Sequence, residues 1–267
     1  MLFRSTPENI QHLAQQMVSI AKQAGQFIKQ QEVHTVTEKG GAANVVTDID
    51  VKSQHLLMRA CEACLPGSSF LAEEEGQQHI GDGFTWVIDP IDGTTNYLYG
   101  ARHSCISVAL YYQKQGLIGV VYNPYRDECF VGIQGQGSWC NDKPIHVSSH
   151  SFPEALVMVG TAPYDKSQAD TIFDIIKELF LETRDIRRSG SAALDLCDLA
   201  CGRVDAFYEH MLQPWDYGAG RIILENAHGK IEPMTVSAFD DLKPTGVICS
   251  NGICQDDLRR VIEKHLA

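Results

Sequence analysis

No uncharged apolar run in this 267-residue chain approaches the roughly 18–20 residues that cross a bilayer, so no transmembrane helix is expected. Basic residues are scarce, with 22 Lys and Arg against 34 Asp and Glu and a formal charge of −12. That balance argues against a nucleic-acid partner, because such binders need basic surface to displace phosphate counterions. Residues 1–30 contain no continuous hydrophobic region, their apolar positions being broken by Gln11, His12, Gln15 and Gln16. No secretory signal is expected, and the chain reads as soluble and cytoplasmic.

Several chemical signatures are also missing. His103, His146 and His210 lack HExxH spacing, and no Ser or Cys sits in a GxSxG elbow. Cys61 and Cys64 have no second pair at zinc-ribbon spacing, and the nine cysteines form an odd set read as reduced packing thiols. Gly132, Gly135 and Gly137 read as turn residues, since no strand–GxGxxG–helix context follows them. Trp86 and Trp139 read as packing residues. Charged residues make up 21% of the chain and apolar residues 44%, which excludes a disordered polymer and supplies an extended core. The acidic surplus permits cation binding, although it also suits a merely soluble surface.

The pattern of elements divides the chain. Thr6 and Pro7 punctuate the start of a helix whose apolar face is Ile10, Leu13, Ala14, Met17, Ala21, Ala24 and Ile28. A loop with Gly40–Gly41 follows, then a second helical pattern on Val51, Leu56, Leu57, Ala60 and Cys64 that ends at Pro66–Gly67. Residues 84–88, 104–112, 117–122 and 128–133 read as strands, with a polar turn at 89–96 and a hairpin at 113–116. The second half alternates: strands at 155–161, 183–187, 205–209 and 247–250, helices at 168–180, 191–200, 215–226 and 255–265. The expected architecture is α+β, mixed α/β, with a soft boundary near 147–153 between an N-terminal part (1–147) and a C-terminal part (148–267).

The chemistry concentrates in acidic segments. Trp86-Val87-Ile88-Asp89-Pro90-Ile91-Asp92-Gly93-Thr94-Thr95-Asn96 ends an apolar strand with two carboxylates three residues apart. Such a turn can aim Asp89, Asp92 and the Ile91 carbonyl into one cleft as hard ligands for Mg²⁺, with free amides near Gly93–Thr95 for an anion. An Asp-rich turn capping a helix is the alternative. Glu73-Glu74-Glu75 follows Phe70-Leu71-Ala72, where a strand leaves the core; taken alone, the segment reads better as a solvated Glu run. Asp216, in Trp215-Asp216-Tyr217-Gly218-Ala219-Gly220, reads either as a ligand or as a helix cap.

The 89–96 segment resembles the first signature of the inositol monophosphatase family of magnesium-dependent, lithium-sensitive phosphatases, and the 215–220 segment resembles its second. Ala72-Glu73-Glu74 is similar to the family's upstream acidic motif, with Ala72 where Gly is commoner, and Val46-Thr47-Asp48-Ile49-Asp50 resembles its early Thr-x-x-Asp element. The resemblance runs in order from about Lys39 to Gly229. It implies a layered αβαβα fold with the site between the two parts, most metal ligands in 1–147, and Asp216 and substrate contacts in 148–267.

The resemblance also assigns roles. Glu73, Asp89 and the Ile91 carbonyl would hold a first Mg²⁺, and Asp89, Asp92 and Asp216 a second, with a weaker third ion on Glu73 and water. Glu73, Thr94 and Asp50 form the implied catalytic set, Thr94 orienting the attacking water through its bond to Asp50. Gly93, Thr94 and Thr95 would receive the phosphate. Gly190, Ser191, Ala192, Glu209 and Asp216 would face the alcohol. Lys39 corresponds to a mobile-loop lysine or is a surface lysine, and Arg187–Arg188 are surface or subunit-interface charges. A homodimer is implied as well.

Phosphate monoester hydrolysis is accelerated enzymatically by up to ~10²¹-fold, whereas one acid–base pair supplies about 10²–10⁴. Metal ions must therefore carry much of the catalysis, through direct in-line attack of activated water without a phosphoenzyme. The expected substrate is inositol monophosphate or a similar phosphorylated polyol or sugar. The alternatives are histidinol phosphate, fructose bisphosphate, NADP(H) or a 3′-phosphonucleotide, or a regulatory binding role that keeps the fold.

Overall fold

The computed structural model describes residues 7–39, 45–74, 78–234 and 242–266. The Thr6 cap, the Gly40–Gly41 loop and Glu75 lie outside the described residues. The first part of the chain runs α1 (Pro7–Gln30), β1 (Val36–Glu38), β2 (Val45–Thr47), α2 (Asp48–Cys64), β3 (Ser69–Ala72) and β4 (Gln78–His79). Next come β5 (Phe84–Asp92), α3 (Thr94–Leu98), β6 (Cys105–Tyr112), β7 (Gln115–Asn123), β8 (Glu128–Ile133), β9 (Gly137–Cys140) and β10 (Lys143–Pro144). The second part runs β11 (Leu156–Val159), α4 (Ala169–Glu182), β12 (Asp185–Arg187), α5 (Ala192–Ala200) and β13 (Ala206–Leu212). It closes with α6 (Pro214–Asn226), β14 (Lys230–Pro233), β15 (Thr245–Ser250) and α7 (Gln255–Leu266).

Strand alternation builds the layers, because successive side chains leave a strand on opposite faces. On β5, Trp86 and Ile88 join Leu13, Met17 and Ile28 of α1 and Leu57 of α2, while Val87 faces the other way. On β6, Ile106, Val108 and Leu110 face α1 and α2, and Cys105, Ala109 and Tyr111 face α5 and α6. The same helices meet Phe207, Val247 and Cys249 of the second sheet, whose opposite face sends Tyr208 and Ile248 against α4 and α7. The order is therefore α1/α2, first sheet, α5/α6, second sheet, α4/α7: the layered αβαβα fold. The first sheet has the order β10-β9-β8-β7-β6-β5-β3-β4, antiparallel except for the parallel β3–β5 pair. The second has the order β12-β11-β13-β15-β14, with β11 parallel to both of its neighbours.

Two glycines set the depth of α6. Gly119 and Gly132 are register partners on β7 and β8. A Cβ on Gly132 would lie 2.6 Å from Ile223 Cα, and one on Gly119 would collide with the Ala219 carbonyl. Bare backbone there lets α6, which carries Asp216, seat against the sheet. Gly132 is thus a strand residue and not the turn residue its spacing suggests, whereas Gly135 keeps a turn conformation at φ 70°.

Other expectations shift for identifiable reasons. The strand expected to stop at Ile88 continues through Asp92, since β6 goes on pairing with it. On α2 the buried stripe is Ile49, Asp50, Ser53, Gln54, Leu57 and Cys61, so Val51, Leu56, Ala60 and Cys64 lie towards its flank. The polar members of that stripe serve the site described below. Short strands β1, β4, β9, β10 and β14 carry too few residues for alternation to reveal them. The cysteines are free, Cys61 being buried in the α1–α2 layer. Trp86 is buried with its Nε1–H donating to Ser68 Oγ at 2.8 Å, and Trp139 packs beside the same layer. Among the described residues, no helix is long and apolar enough to cross a membrane.

Candidate active site

The β5–β6 register slips between Asp89, opposite Ser107, and Asp92, opposite Cys105. Such bulges re-aim side chains, and Pro90 suits one because it has no N–H to lose from the ladder. The Ile91 N–H donates back to Asp89 Oδ1 at 2.9 Å. Ser53 of α2 donates to the Pro90 carbonyl at 3.1 Å and fixes the bulge from outside. Gly93 then takes φ 86°, and a Cβ there would also stand 3.1 Å from the Gly190 and His103 carbonyl oxygens. Glycine alone meets both demands. α3 begins at Thr94, with the backbone N–H groups of its first turn left without intrahelical partners.

The other carboxylates arrive from neighbouring element ends. Glu73 extends the β3–β5 pairing by one bond, its N–H donating to the Ile88 carbonyl at 3.2 Å. Asp216 sits in the first turn of α6, where its Oδ2 accepts the Gln213 N–H at 2.7 Å. Asp50 caps α2 reciprocally with Thr47, and its Oδ1 accepts from Thr94 Oγ1 at 3.1 Å. Asp92 is also solvated by protein: Ser191 Oγ donates to it, as do the Ala193 N–H at 3.0 Å and Cys105 Sγ at 3.6 Å.

One oxygen each from Asp89, Asp92 and Asp216 lies within 4.8 Å of the others. Burial pushes all three carboxyls up. Asp92 reaches about 6, held there by its donors, and Asp216 about 8, with the charge of Asp92 adding to burial. Asp89 is pushed well above the carboxylate range by burial and then by Glu73, Asp92 and Asp216. Glu73 is raised by burial and then by Asp216 and Glu74. Buried like charges this close need a cation or protons to coexist. The donor set is all oxygen, and no His or Cys atom belongs to it among the described residues. Hard, anionic oxygen ligands fit Mg²⁺ and not a soft metal.

The cluster floors a cleft of about 370 Å³ whose lining comes from residues 73 and 99 and segments 89–95, 159–165, 188–195 and 209–216. Glu73, Asp89, Ile91, Asp92, Gly93, Thr94, Thr95, Gly190, Ser191, Ala192, Glu209 and Asp216 all line it. Asp50 reaches it only through Thr94. Lys39 forms an ion pair with Glu74, and neither residue is in the lining of the cleft. That pair corrects the solvated-run reading: Glu74 is 2% exposed, and Gln54 of α2 bonds both its N–H (2.8 Å) and its carbonyl. Arg187 and Arg188 are both exposed, as surface charges are; Arg188 also lines the cleft, while Arg187 pairs with Asp185.

Glu209 is buried, and its Oε1 accepts the Ala162 N–H at 2.8 Å. Burial pushes its carboxyl up to about 7 against the pull of that N–H and of Arg188. Asn96 ties the two halves of the wall, donating to the His103 carbonyl at 2.8 Å and to the Ser189 carbonyl at 3.0 Å. Hydrophobic patterning gives no sign of Ser53, Gln54 or the 162–165 loop. Ser53 and Gln54 had a signal: they recur one helical turn after Asp50, a polar stripe on an otherwise amphipathic helix.

Comparison with known proteins agrees with this geometry. The profile of the Inositol monophosphatase family matches residues 9–267. The Inositol-1-monophosphatase of Synechocystis sp. is 37% identical over 238 residues, covering 86% of this chain and 81% of the relative. The Nus factor SuhB of Salmonella typhimurium is 35% identical over 224 residues, covering 82% and 84%. The solved inositol monophosphatase of Anabaena (Nostoc) superposes with a TM-score of 0.83 at 32% identity, over 96% of this chain and 97% of that one. The chain belongs to the inositol monophosphatase family.

Proposed function

We propose that this protein is a Mg²⁺-dependent phosphoric monoester hydrolase that converts inositol monophosphate to inositol and phosphate. The observation that carries the reading is the convergence of Asp89, Asp92 and Asp216, drawn from β5 and α6, on one buried point with raised carboxyl pKa values. Family membership supports the reaction and the substrate class. In this reading Glu73, Asp89 and the Ile91 carbonyl would hold one Mg²⁺, Asp89, Asp92 and Asp216 would hold a second, and Glu73 would contribute to a weaker third. When bound, Mg²⁺ activates water and neutralises charge developing on the phosphate oxygens.

The chain's own groups do the positioning. The hydroxyl of Thr94 has one proton, shared between Asp50 Oδ1 and the Ile91 carbonyl, both at 3.1 Å. Its lone pairs are left to accept a hydrogen bond from the attacking water and so orient it, with Glu73 alongside. The N–H groups of Gly93, Thr94 and Thr95 receive phosphate oxygens, and Gly190, Ser191, Ala192, Glu209 and Asp216 face the alcohol. Glu209, ionised, accepts from vicinal hydroxyls. The division at 147/148, a homodimer, lithium sensitivity and a cytoplasmic setting belong to the same proposal, supported by the family resemblance.

Phosphate release from inositol 1-phosphate tests the reading. Activity in Mg²⁺ that disappears in EDTA and returns on adding Mg²⁺ is expected, and no release at any Mg²⁺ concentration would refute it. A binding role that retains the fold is a second reading, supported by the relative named as a Nus factor. Asp92→Asn separates the two: cellular function surviving loss of hydrolysis would favour the binding role.

A further inference from the structure

Most cysteines of the chain are inert by position. Cys105, Cys197 and Cys249 are fully buried, and burial pushes their thiols well up. Cys140 and Cys201 differ. Both are only half-buried, both pack against the layer formed by α5 and α6, and their thiols share a hydrogen bond.

The backbone brings the two together from distant segments. Cys140 ends β9, opposite Phe130 of β8 and Lys143 of β10. Cys201 caps the end of α5, its N–H donating to the Cys197 carbonyl at 3.0 Å. Gly202 follows at φ 68°, where a Cβ would stand 2.9 Å from the Ser148 backbone nitrogen, so the helix end sits close against the chain leaving β10. Arg203 adds a cation beside the pair. Its guanidinium lies 5.6 Å from the centre of the Phe130 ring and bonds Asp198 at 2.7 Å and Glu128 at 3.1 Å. The bond from Cys201 draws the Cys140 thiol below its ordinary value against burial and Glu128, with Arg203 acting the same way. That bond and burial push Cys201 up. One sulfur is therefore the readier thiolate and the other stands beside it protonated, as in a nucleophile and its resolving partner. Among the described residues, the acidic cluster is the one group of three side chains spaced to hold a metal, so the thiol pair suits a disulfide and not a metal ion.

We propose that Cys140 and Cys201 form an oxidisable pair that closes to a reversible disulfide, stapling β9 of the first sheet to the end of α5. With hydrogen peroxide as oxidant, the Cys140 thiolate attacks one peroxide oxygen and the O–O bond breaks. Cys140 becomes a sulfenic acid, and the departing hydroxide takes up the thiol's proton as water. The Cys201 sulfur then attacks the sulfenic sulfur, the S–O bond breaks, and a second water leaves with the Cys201 proton. Two thiols lose two electrons and two protons, and a dithiol reductant reverses the step. The link closes β10, β11, α4, β12 and α5 into one loop, and a cross-link over so long a stretch stabilises mainly by restricting the unfolded chain. It also fixes the far end of the helix whose first turn supplies the Ala193 N–H to Asp92.

Peptide mapping of the full chain tests the pair. The reduced protein is treated with hydrogen peroxide, blocked with N-ethylmaleimide and digested with trypsin without reduction. Expected is a linked pair of peptides, 127–166 and 189–203, two hydrogens lighter than their sum and separated by dithiothreitol. The link should be absent from Cys140→Ser and from Cys201→Ser, and the wild-type fragment spectra locate it even where a variant folds poorly. Thermal melts should show the oxidised wild type about 5 °C or more above the reduced protein, with no such rise in Cys201→Ser. Peroxide that leaves both thiols free, oxidation that stops at an acid on Cys140, a link that survives Cys140→Ser, or a linked protein with an unchanged Tm would overturn the proposal. None of these outcomes bears on phosphate release, so the phosphatase reading is tested separately.

Discussion

Thr94 Oγ1 stands 3.1 Å from Asp50 Oδ1, joining the first turn of α3, which lines the cleft, to the buried first turn of α2. Asp50 is buried and its carboxyl is raised by burial even though Thr47 and Thr94 donate to it. The Thr94 proton is engaged by Asp50 Oδ1 and the Ile91 carbonyl, which leaves the hydroxyl's lone pairs to accept from the attacking water. Thr94→Ala should lower kcat by about 10²-fold or more with a small change in KM, and Thr94→Ser should recover most of it. A Thr94→Ala enzyme with wild-type kcat would contradict the orienting role.

Ser191 acts on the metal site through Asp92. Its hydroxyl and the Ala193 N–H both donate to Asp92 Oδ2. Ser191→Ala should weaken the apparent Mg²⁺ affinity by about 10–100-fold, the usual cost of losing a partner behind a ligand. Magnesium titration of the activity measures this, and kcat at saturating Mg²⁺ should change far less than the midpoint.

Stability should depend on pH in a direction set by the carboxylates. Asp92 at about 6, Asp216 at about 8 and the raised Asp89 and Glu73 bind more protons folded than unfolded between roughly pH 4 and 8. The folded state then loses its advantage as pH rises through these values. Thermal melts of the EDTA-treated protein should show Tm falling from pH 5 to pH 8.5. Added Mg²⁺ should raise Tm more at pH 8.5 than at pH 5, because protons and metal compete for the same oxygens. A Tm that climbs with pH without metal would contradict the convergence.

Gly119 and Gly132 should tolerate nothing larger. Gly132→Ala places a methyl against the backbone of Ile223 and pushes α6 off the sheet. Overpacking of this kind costs about 1–3 kcal/mol, and the displaced helix carries Asp216 with it. Denaturant unfolding should report the loss, with a matching fall in Mg²⁺ affinity that a substitution in α7 would not produce.

Much of this was legible in the residues, for reasons the structure makes plain. The long elements α1, α4, α6 and α7 and strands β6 to β8 follow their hydrophobic periods because each presents one face to one layer. The carboxylates of 73, 89, 92 and 216 stand at strand ends and helix starts, where punctuation draws attention to them, but the residues alone leave a turn, a solvated run or a helix cap open, and it is the resemblance to the family's signatures that implies a ligand role. The continuation of β5 through Asp92 was hidden because Pro90 and two acidic residues look like a turn, whereas the ladder to β6 is resumed after a bulge. Ser53 and Gln54 escape hydrophobic patterning, which cannot mark a buried face whose work is hydrogen bonding; only their one-turn spacing from Asp50 signals them. The 162–165 loop was hidden because only the fold brings Ala162 to Glu209.

Diffraction from crystals soaked in Mn²⁺, used as an anomalously scattering substitute for Mg²⁺, tests the central claim most directly. Anomalous density should appear among Asp89, Asp92 and Asp216, with a second peak near Glu73 and the Ile91 carbonyl. Density elsewhere, or none at saturating Mn²⁺ above pH 8, would contradict it.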